Sequence, residues 1–245
     1  MSLLLRDEVS ISLSPGRVKA VHFSGGFRPS VKAKKMISCD PPALKEILWK
    51  NTLDGLEAVL HALEGDKMNA KVILSNHFVR YALVPWSDQI SNAGEERAFV
   101  RHSFAQIYGD DVRHWELRVS PGGYGEAQVA SAIDHGLLEG IERIVTSRGF
   151  RLVSTQPYFM SVFNRWRKHL QEDHAWFVVA EPGRLCVSQL QQGVWRSLRT
   201  IKVNDDWLEA LRILLERELL VSESGAECNT VYLVAPDLQI GRAHV

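Results

Sequence analysis

A tight-turn string, Pro-Gly-Arg followed by an aliphatic residue, occurs twice in this chain, as Pro15-Gly16-Arg17-Val18 and as Pro182-Gly183-Arg184-Leu185. Proline at the second turn position presets φ near about −65°, and glycine at the third accepts the positive φ of a type II turn. Each copy lies between two short runs rich in aliphatic residues. These are 9–13 and 18–23 around the first, and 176–180 and 185–190 around the second. Each copy is therefore expected to close a β-hairpin. A hairpin recurring at so long a period points to two lobes of related architecture.

The segments C-terminal to the two hairpins repeat as well. After the first, 31–37 reads as a third strand. Leu53, Leu56, Val59, Leu60 and Leu63 then recur at helical spacing, Gly65-Asp66 stops that helix, and 71–74 is a short strand. After the second, 194–201 reads as a strand, 207–220 as a helix with Asp206 and Glu209 as its capping box, and 231–234 as a strand. Both series are βββαβ, a strand meander beside a parallel sheet, the opening part of a ribonuclease-H-like lobe.

The middle of the chain has a different order. A strand at 78–86 ends on Pro85-Trp86, and 95–108 is a helix with Phe99, Phe104 and Ile107 apolar. Strands at 112–119 and 127–133 flank the loop Pro121-Gly122-Gly123-Tyr124-Gly125, before a helix at 135–147 and a strand at 150–154. This order describes a small inserted α+β subdomain. A helix at 157–170 follows, with Pro157 in its first turn, where a missing N–H costs little.

The expected division is thus 1–77 for the first part of lobe I, 78–154 for the insert, 155–173 for a lobe I helix and connection, and 174–239 for lobe II. A complete second lobe needs further helices and a strand, so lobe II is expected to be truncated. The last six residues, Ile240-Gly241-Arg242-Ala243-His244-Val245, read as a translation of ATCGGAAGAGCACACGTC, which looks like a sequencing adapter. An artefactual tail at 240–245 is expected, with the intact protein continuing past Gln239.

Composition removes several function classes. Lys and Arg number 29 and so do Asp and Glu, a balance ill suited to neutralising nucleic-acid phosphates. The basic residues Arg28, Lys32, Lys34 and Lys35 read as a solvated strand face. Hydrophobic residues at 45% and charged residues at 24% exclude a disordered or collagen-like chain. Cys39, Cys186 and Cys228 are far apart and form no CxxC pair, which supports neither zinc nor a disulfide framework and fits a reducing cytoplasm. Cys39-Asp40-Pro41-Pro42 resembles a linker, with Cys39 an inert buried thiol. No two of the nine histidines stand at helical i, i+4 spacing with acidic companions, so no metal site is expected. The N-terminus is too soon charged for a signal peptide, and no apolar run approaches the ~20 residues of a spanning helix.

Familiar catalytic strings are missing too. The chain has no GxSxG elbow, no Walker A loop and no HExxH. A ribonuclease-H-type nuclease needs clustered carboxylates, whereas the first strand offers only Asp7 and Glu8 at its entrance.

From Val72 to Trp166 the sequence resembles a family of actin-like proteins: the type IV pilus assembly protein PilM, its relatives in mannose-sensitive pilus biogenesis, and the type II secretion protein L. The resemblance rests on Val72-Ile73-Leu74-Ser75-Asn76, then Val79-Arg80-Tyr81-Ala82-Leu83-Val84-Pro85-Trp86 and an acidic-started helix. It continues through the strand at 130–133, Gly149-Phe150, Thr155-Gln156-Pro157 and Asn164-Arg165. Each motif is loose, but the order of elements extends the likeness to Asp237.

The resemblance implies an actin-like, two-lobed α/β fold with an inserted subdomain in lobe I. In such folds the first hairpin carries Asp-x-Gly, whose carboxylate organises Mg²⁺ beside the phosphates. Here Ser12 stands near the Asp position and Ser14 near the Gly, beside Gly16. In the second hairpin Glu181 sits at the turn itself, and Pro182 before Gly183 removes a donor. Where an adenosine-binding Gly-Gly is expected, the chain reads Ala235-Pro236-Asp237. The nucleotide site thus reads as decayed, with no catalytic residue, no expected cofactor, and ATP with Mg²⁺ disfavoured.

By the same resemblance the chain is a non-catalytic adaptor on the cytoplasmic face of the inner membrane. It would hold the cytoplasmic tail of a pilus or secretion membrane protein, or contact the assembly ATPase. Arg80, Tyr81 and Trp86 are the candidates for the partner groove; subdomain packing is the alternative for Tyr81 and Trp86. An ATP-binding PilM-like protein and an actin-fold small-molecule kinase are the other readings.

Overall fold

The computed structural model describes residues 6–40, 47–65, 67–120, 122–170, 173–221 and 230–238. The proposed linker at Pro41-Pro42, the residue Asp66, Cys228 and the tail at 240–245 lie outside the described residues.

The first repeat is β1 (Glu8–Ser14), β2 (Arg17–Phe23), β3 (Val31–Ser38), α1 (Lys50–His61) and β4 (Asn69–Leu74). The middle of the chain supplies β5 (Val79–Val84), α2 (Ala93–Tyr108), a 3-10 turn at Gly109–His114, β6 (Trp115–Val119), β7 (Gln128–Asp134), α3 (His135–Ser147) and β8 (Arg151–Pro157). Helix α4 (Tyr158–Trp166) then runs into a 3-10 turn at Arg167–His169. The second repeat is β9 (His174–Glu181), β10 (Arg184–Gln191), β11 (Val194–Lys202), α5 (Trp207–Val221) and β12 (Thr230–Val234).

The two repeats share strand order and direction. The first sheet runs β3-β2-β1-β4-β8 and the second β11-β10-β9-β12. In each, three meander strands pair antiparallel and the first lies parallel to the strand after the helix. The likeness reaches single hydrogen bonds. Cys39 N, just past β3, donates to Gly16 O at 2.9 Å, and Val203 N, just past β11, donates to Gly183 O at 3.2 Å.

Two-residue loops close both hairpins, with Ser14 opposite Arg17 and Glu181 opposite Arg184. Only the second is the expected type II turn, with Gly183 at φ 79°. Gly16 does not enter the left-handed region, so the first Pro-Gly turn departs from type II.

Burial explains both lobes. On α1 the residues Leu53, Leu56, Val59 and Leu60 are buried, as the helical spacing predicts. Helix α3 lies close against α1, since a Cβ on Gly140 would meet Leu53 Cδ1 at 2.4 Å. In the second repeat Trp207 and Leu211 of α5 join Trp176, Val178, Leu185 and Val187 of the sheet in one apolar core.

Four local expectations are corrected. The strand expected at 150–154 to finish the inserted subdomain pairs instead with β4, as the fifth strand of the first sheet. The insert's own sheet is β5-β7-β6. Pro157 ends β8 rather than opening the helix; at the edge of a sheet its missing N–H breaks no ladder. The strand expected from Val112 begins only at Trp115, because 109–114 winds into a 3-10 turn held by Arg101 Nη1 donating to Val112 O at 2.9 Å. The capping box of α5 does not form, since both Glu209 oxygens accept from Arg212, at 2.6 and 2.9 Å.

The chain forms two compact units. One comprises 1–79, 114–116 and 133–161, and the other 80–113, 117–132 and 162–245.

Candidate functional site: the paired hairpins and the inserted subdomain

On β1 the side chains of Val9, Ile11 and Leu13 are buried while Ser12 is exposed, as strand alternation requires. Ser14 closes the turn: its hydroxyl donates to Arg17 O at 2.9 Å, and its own carbonyl accepts from Thr52 Oγ1 at 3.3 Å. Ser12, Ser14 and Gly16 therefore stand together on the first hairpin without a carboxylate among them.

The acidic residues at the start of this strand are elsewhere and engaged. Glu8 pairs with Lys71 Nζ at 2.6 Å. Asp7 accepts from Lys32 Nζ at 2.8 Å, Gly25 N at 2.9 Å and His22 Nε2 at 2.7 Å. Lys32 first, then the Gly25 amide, hold the Asp7 carboxyl well below the usual carboxylate range. Glu8 and Ser14 are the two ends of the seven-residue β1, so this acidic knot lies a strand's length of about 20 Å from the turn.

The second hairpin has a different chemistry. Glu181 is half-buried, and Gly183 is exposed at the turn. Arg184, absent from the expected site residues, is only 9% exposed, and its Nε has no hydrogen-bond partner among the described residues. Burial, then the neighbouring Arg80 guanidinium, lowers its pKa, while Glu181 acts in the opposite sense. The signal was the third residue of the repeated turn string, which reads as turn chemistry and conceals a buried charge.

Arg80 thus comes into the electrostatic neighbourhood of Arg184 and of Tyr108, at the end of α2. Burial raises the Tyr108 pKa, and the two arginines oppose that shift. Tyr81 is 6% exposed, so its side chain is buried. Trp86 is 38% exposed and meets Tyr124 edge to face at 4.9 Å. Of the three groove candidates, Trp86 is exposed, Arg80 half-buried and Tyr81 buried.

Of the two thiols with described surroundings, Cys186 is buried, whereas Cys39, expected to be buried, is half-buried. Burial, then Asp40 and Asp54, raises the Cys39 pKa, and burial pushes Cys186 up to about 12. Among the described residues no group of three or more His, Cys, Asp or Glu side chains is placed to hold a metal ion. Among them, too, no helix is long and apolar enough to cross a membrane.

The doubled βββαβ unit with its paired hairpins is the actin-like ATPase fold, and solved structures share it. The cytoplasmic domain of EpsL, an inner-membrane component of the type II secretion system of Vibrio cholerae, matches 97% of this chain and 86% of its own, at 12% identity and a TM-score of 0.60. A PilM-PilN type IV pilus biogenesis complex matches 94% of this chain and 81% of its own, at 18% identity and a TM-score of 0.64. A Bacteroides thetaiotaomicron protein with an actin-like ATPase fold matches 96% of this chain and 94% of its own, at 9% identity and a TM-score of 0.54. No protein-family model and no curated protein matches the sequence.

Proposed function

We propose that this protein is a non-catalytic adaptor at the cytoplasmic face of a bacterial inner membrane, in a type IV pilus or type II secretion assembly machine. The carrying observation is the first hairpin. An actin-like ATPase needs a carboxylate there to order Mg²⁺ and water, and this chain offers an exposed Ser12 and a Ser14 hydroxyl that closes its own turn. A hydroxyl cannot replace a carboxylate's charge beside Mg²⁺. The fold shared with the EpsL cytoplasmic domain and with PilM in its complex with PilN supports the assembly context. On this reading the partner is the cytoplasmic tail of an inner-membrane protein, with the assembly ATPase as a second contact.

An extended tail is held by backbone pairing at a strand edge together with a few side-chain pockets. Strand β5 is at one edge of the inserted sheet, with Arg80 on it and Trp86 just beyond. Charge reversal at Arg80 and truncation at Trp86 (Arg80→Glu, Trp86→Ala) should each weaken capture of the membrane partner from solubilised membranes. Melting curves must confirm that the variants fold. Mass spectrometry should find a pilus or secretion membrane protein with the wild type; recovery of none, from a host encoding such a system, would sink the adaptor reading.

One observation favours an ATP-binding alternative. The second hairpin keeps an acidic residue, Glu181, beside a buried guanidinium that lacks a partner for its Nε. That arrangement can attract a phosphate, although it cannot supply the metal-ordering carboxylate of the first hairpin.

A further inference from the structure

A cleft of about 440 Å³ opens in the second compact unit, among the loop before β7, the end of α4 and the β10–β11 turn. Its floor is apolar. The rings of Phe163 and Trp195 lie 4.3 Å apart there, with Leu170 and Leu190 beside them. The far wall is held by Gln192 and Gly193, at φ 52° and 79°, which make the β10–β11 connection a type I′ turn. Gln192 N also donates to Asp173 O at 2.6 Å. This wall is fixed before anything binds.

The lip is cationic. Arg167 and Lys168 line the cleft, both are exposed, and neither forms an ion pair with a described residue. The carboxylate on the opposite wall, Glu126, is already engaged, accepting from Gly123 N at 2.9 Å. That bond to a neutral amide leaves Glu126 charged, so the lining carries two positive charges and one negative, a net positive charge over an aromatic floor. Nothing in the adaptor reading uses this place: neither hairpin nor Arg80 lines it.

We infer that this cleft receives a short segment of a partner protein in which a bulky apolar side chain stands next to carboxylates. The apolar residue fills the space over Phe163 and Trp195, and the carboxylates meet Arg167 and Lys168 at the lip. Charge complementarity selects an acidic occupant, and shape selects a peptide. A concave slot takes one or two side chains, whereas a membrane surface needs a convex basic face. The loop wall continues through Tyr124, which is 92% exposed and rests against Trp86.

Selection of a displayed library of short random peptides on the immobilised protein tests this. Enriched sequences should pair Asp or Glu with Leu, Ile, Phe or Trp. A fluorescein-labelled peptide of the enriched sequence should lose roughly tenfold or more in affinity with R167E/K168E, and part of that with R167Q/K168Q. Both positions are exposed, and a melting curve within a few degrees of wild type confirms the fold. The R80E variant should bind the same peptide normally, which separates this site from the β5 wall. No enrichment, enrichment without acidic bias, or equal binding by R167E/K168E overturns the inference. So does capture of the wild type by anionic phospholipid vesicles with no selected peptide.

Discussion

At the scale of single residues, the two turn glycines look interchangeable in the sequence and are not. Gly183 sits at φ 79°, where a Cβ costs about 1–2 kcal/mol, so Gly183→Ala should lower stability by that amount in a urea titration. Gly16 is outside the left-handed region and a Cβ there meets nothing within 4 Å. Gly16→Ala should therefore leave stability unchanged or raise it by about 0.4–1 kcal/mol, by restricting the unfolded chain. Equal losses in the two variants would contradict the turn assignment. The Pro-Gly string was legible as a turn; its type was not, because the same dipeptide takes a positive φ at Gly183 and not at Gly16. Asp7 makes a second residue-scale case. Its folded pKa is depressed by Lys32, Gly25 N and His22, so its contribution is complete above the ordinary carboxyl pKa of about 3.9 and falls away as the pH drops through and below that value. The difference in melting temperature between wild type and Asp7→Asn should be constant from about pH 7 to pH 5 and shrink steadily below about pH 4. A difference that stays constant down to about pH 2.5 would remove Asp7 from the acid response.

At the scale of elements, periodicity located nearly every helix and strand, because burial on one face writes a 3.6 or 2 repeat into the sequence. Sheet membership was not written there. Strand β8 is partly exposed along its length and could have joined either sheet; only its hydrogen bonds to β4 settle the matter. Capping was read from the sequence at α5 alone, while two caps not singled out there do form. Asn92 accepts from Gly94 N and Glu95 N at 2.9 and 3.0 Å, and Asp134 accepts from Gly136 N and Leu137 N at 2.8 and 3.3 Å. It failed at Glu209, where Arg212, one turn on, offers a charged donor in place of a backbone amide. The close approach of α1 and α3 was also invisible, since Gly140 reads as a weak helix former. Its substitution by valine should cost about 1–3 kcal/mol, because a Cβ already lies 2.4 Å from Leu53 Cδ1 and both residues are buried. Chemical denaturation of Gly140→Val measures this, and a loss below about 0.5 kcal/mol would show that the two helices can part freely.

At the scale of the whole molecule, duplication of one βββαβ unit fixes two hairpins, and the side chains on them decide whether nucleotide chemistry survives. The serines were legible because strand alternation exposes Ser12 whatever the rest of the chain does. The buried Arg184 and the aromatic cleft were not, since both depend on residues distant in sequence. A functional Mg·ATP site of ordinary strength has a measurable signature. At a ligand concentration about a hundred times Kd, binding stabilises the folded state by about 2.7 kcal/mol. For a chain of this size that raises the melting temperature by roughly 5–10 °C. The expected shift here is below about 1 °C and the same with Mg²⁺ as with EDTA, because no carboxylate at the first hairpin couples metal to nucleotide. The two departures from this outcome mean different things. A large shift that needs Mg²⁺ would restore the ATP-binding reading and require a metal carboxylate other than one near Ser12. A shift that is equal in EDTA and lost in Arg184→Met would assign the binding to the buried guanidinium of the second hairpin, leaving the protein able to hold phosphate without the metal that hydrolysis requires.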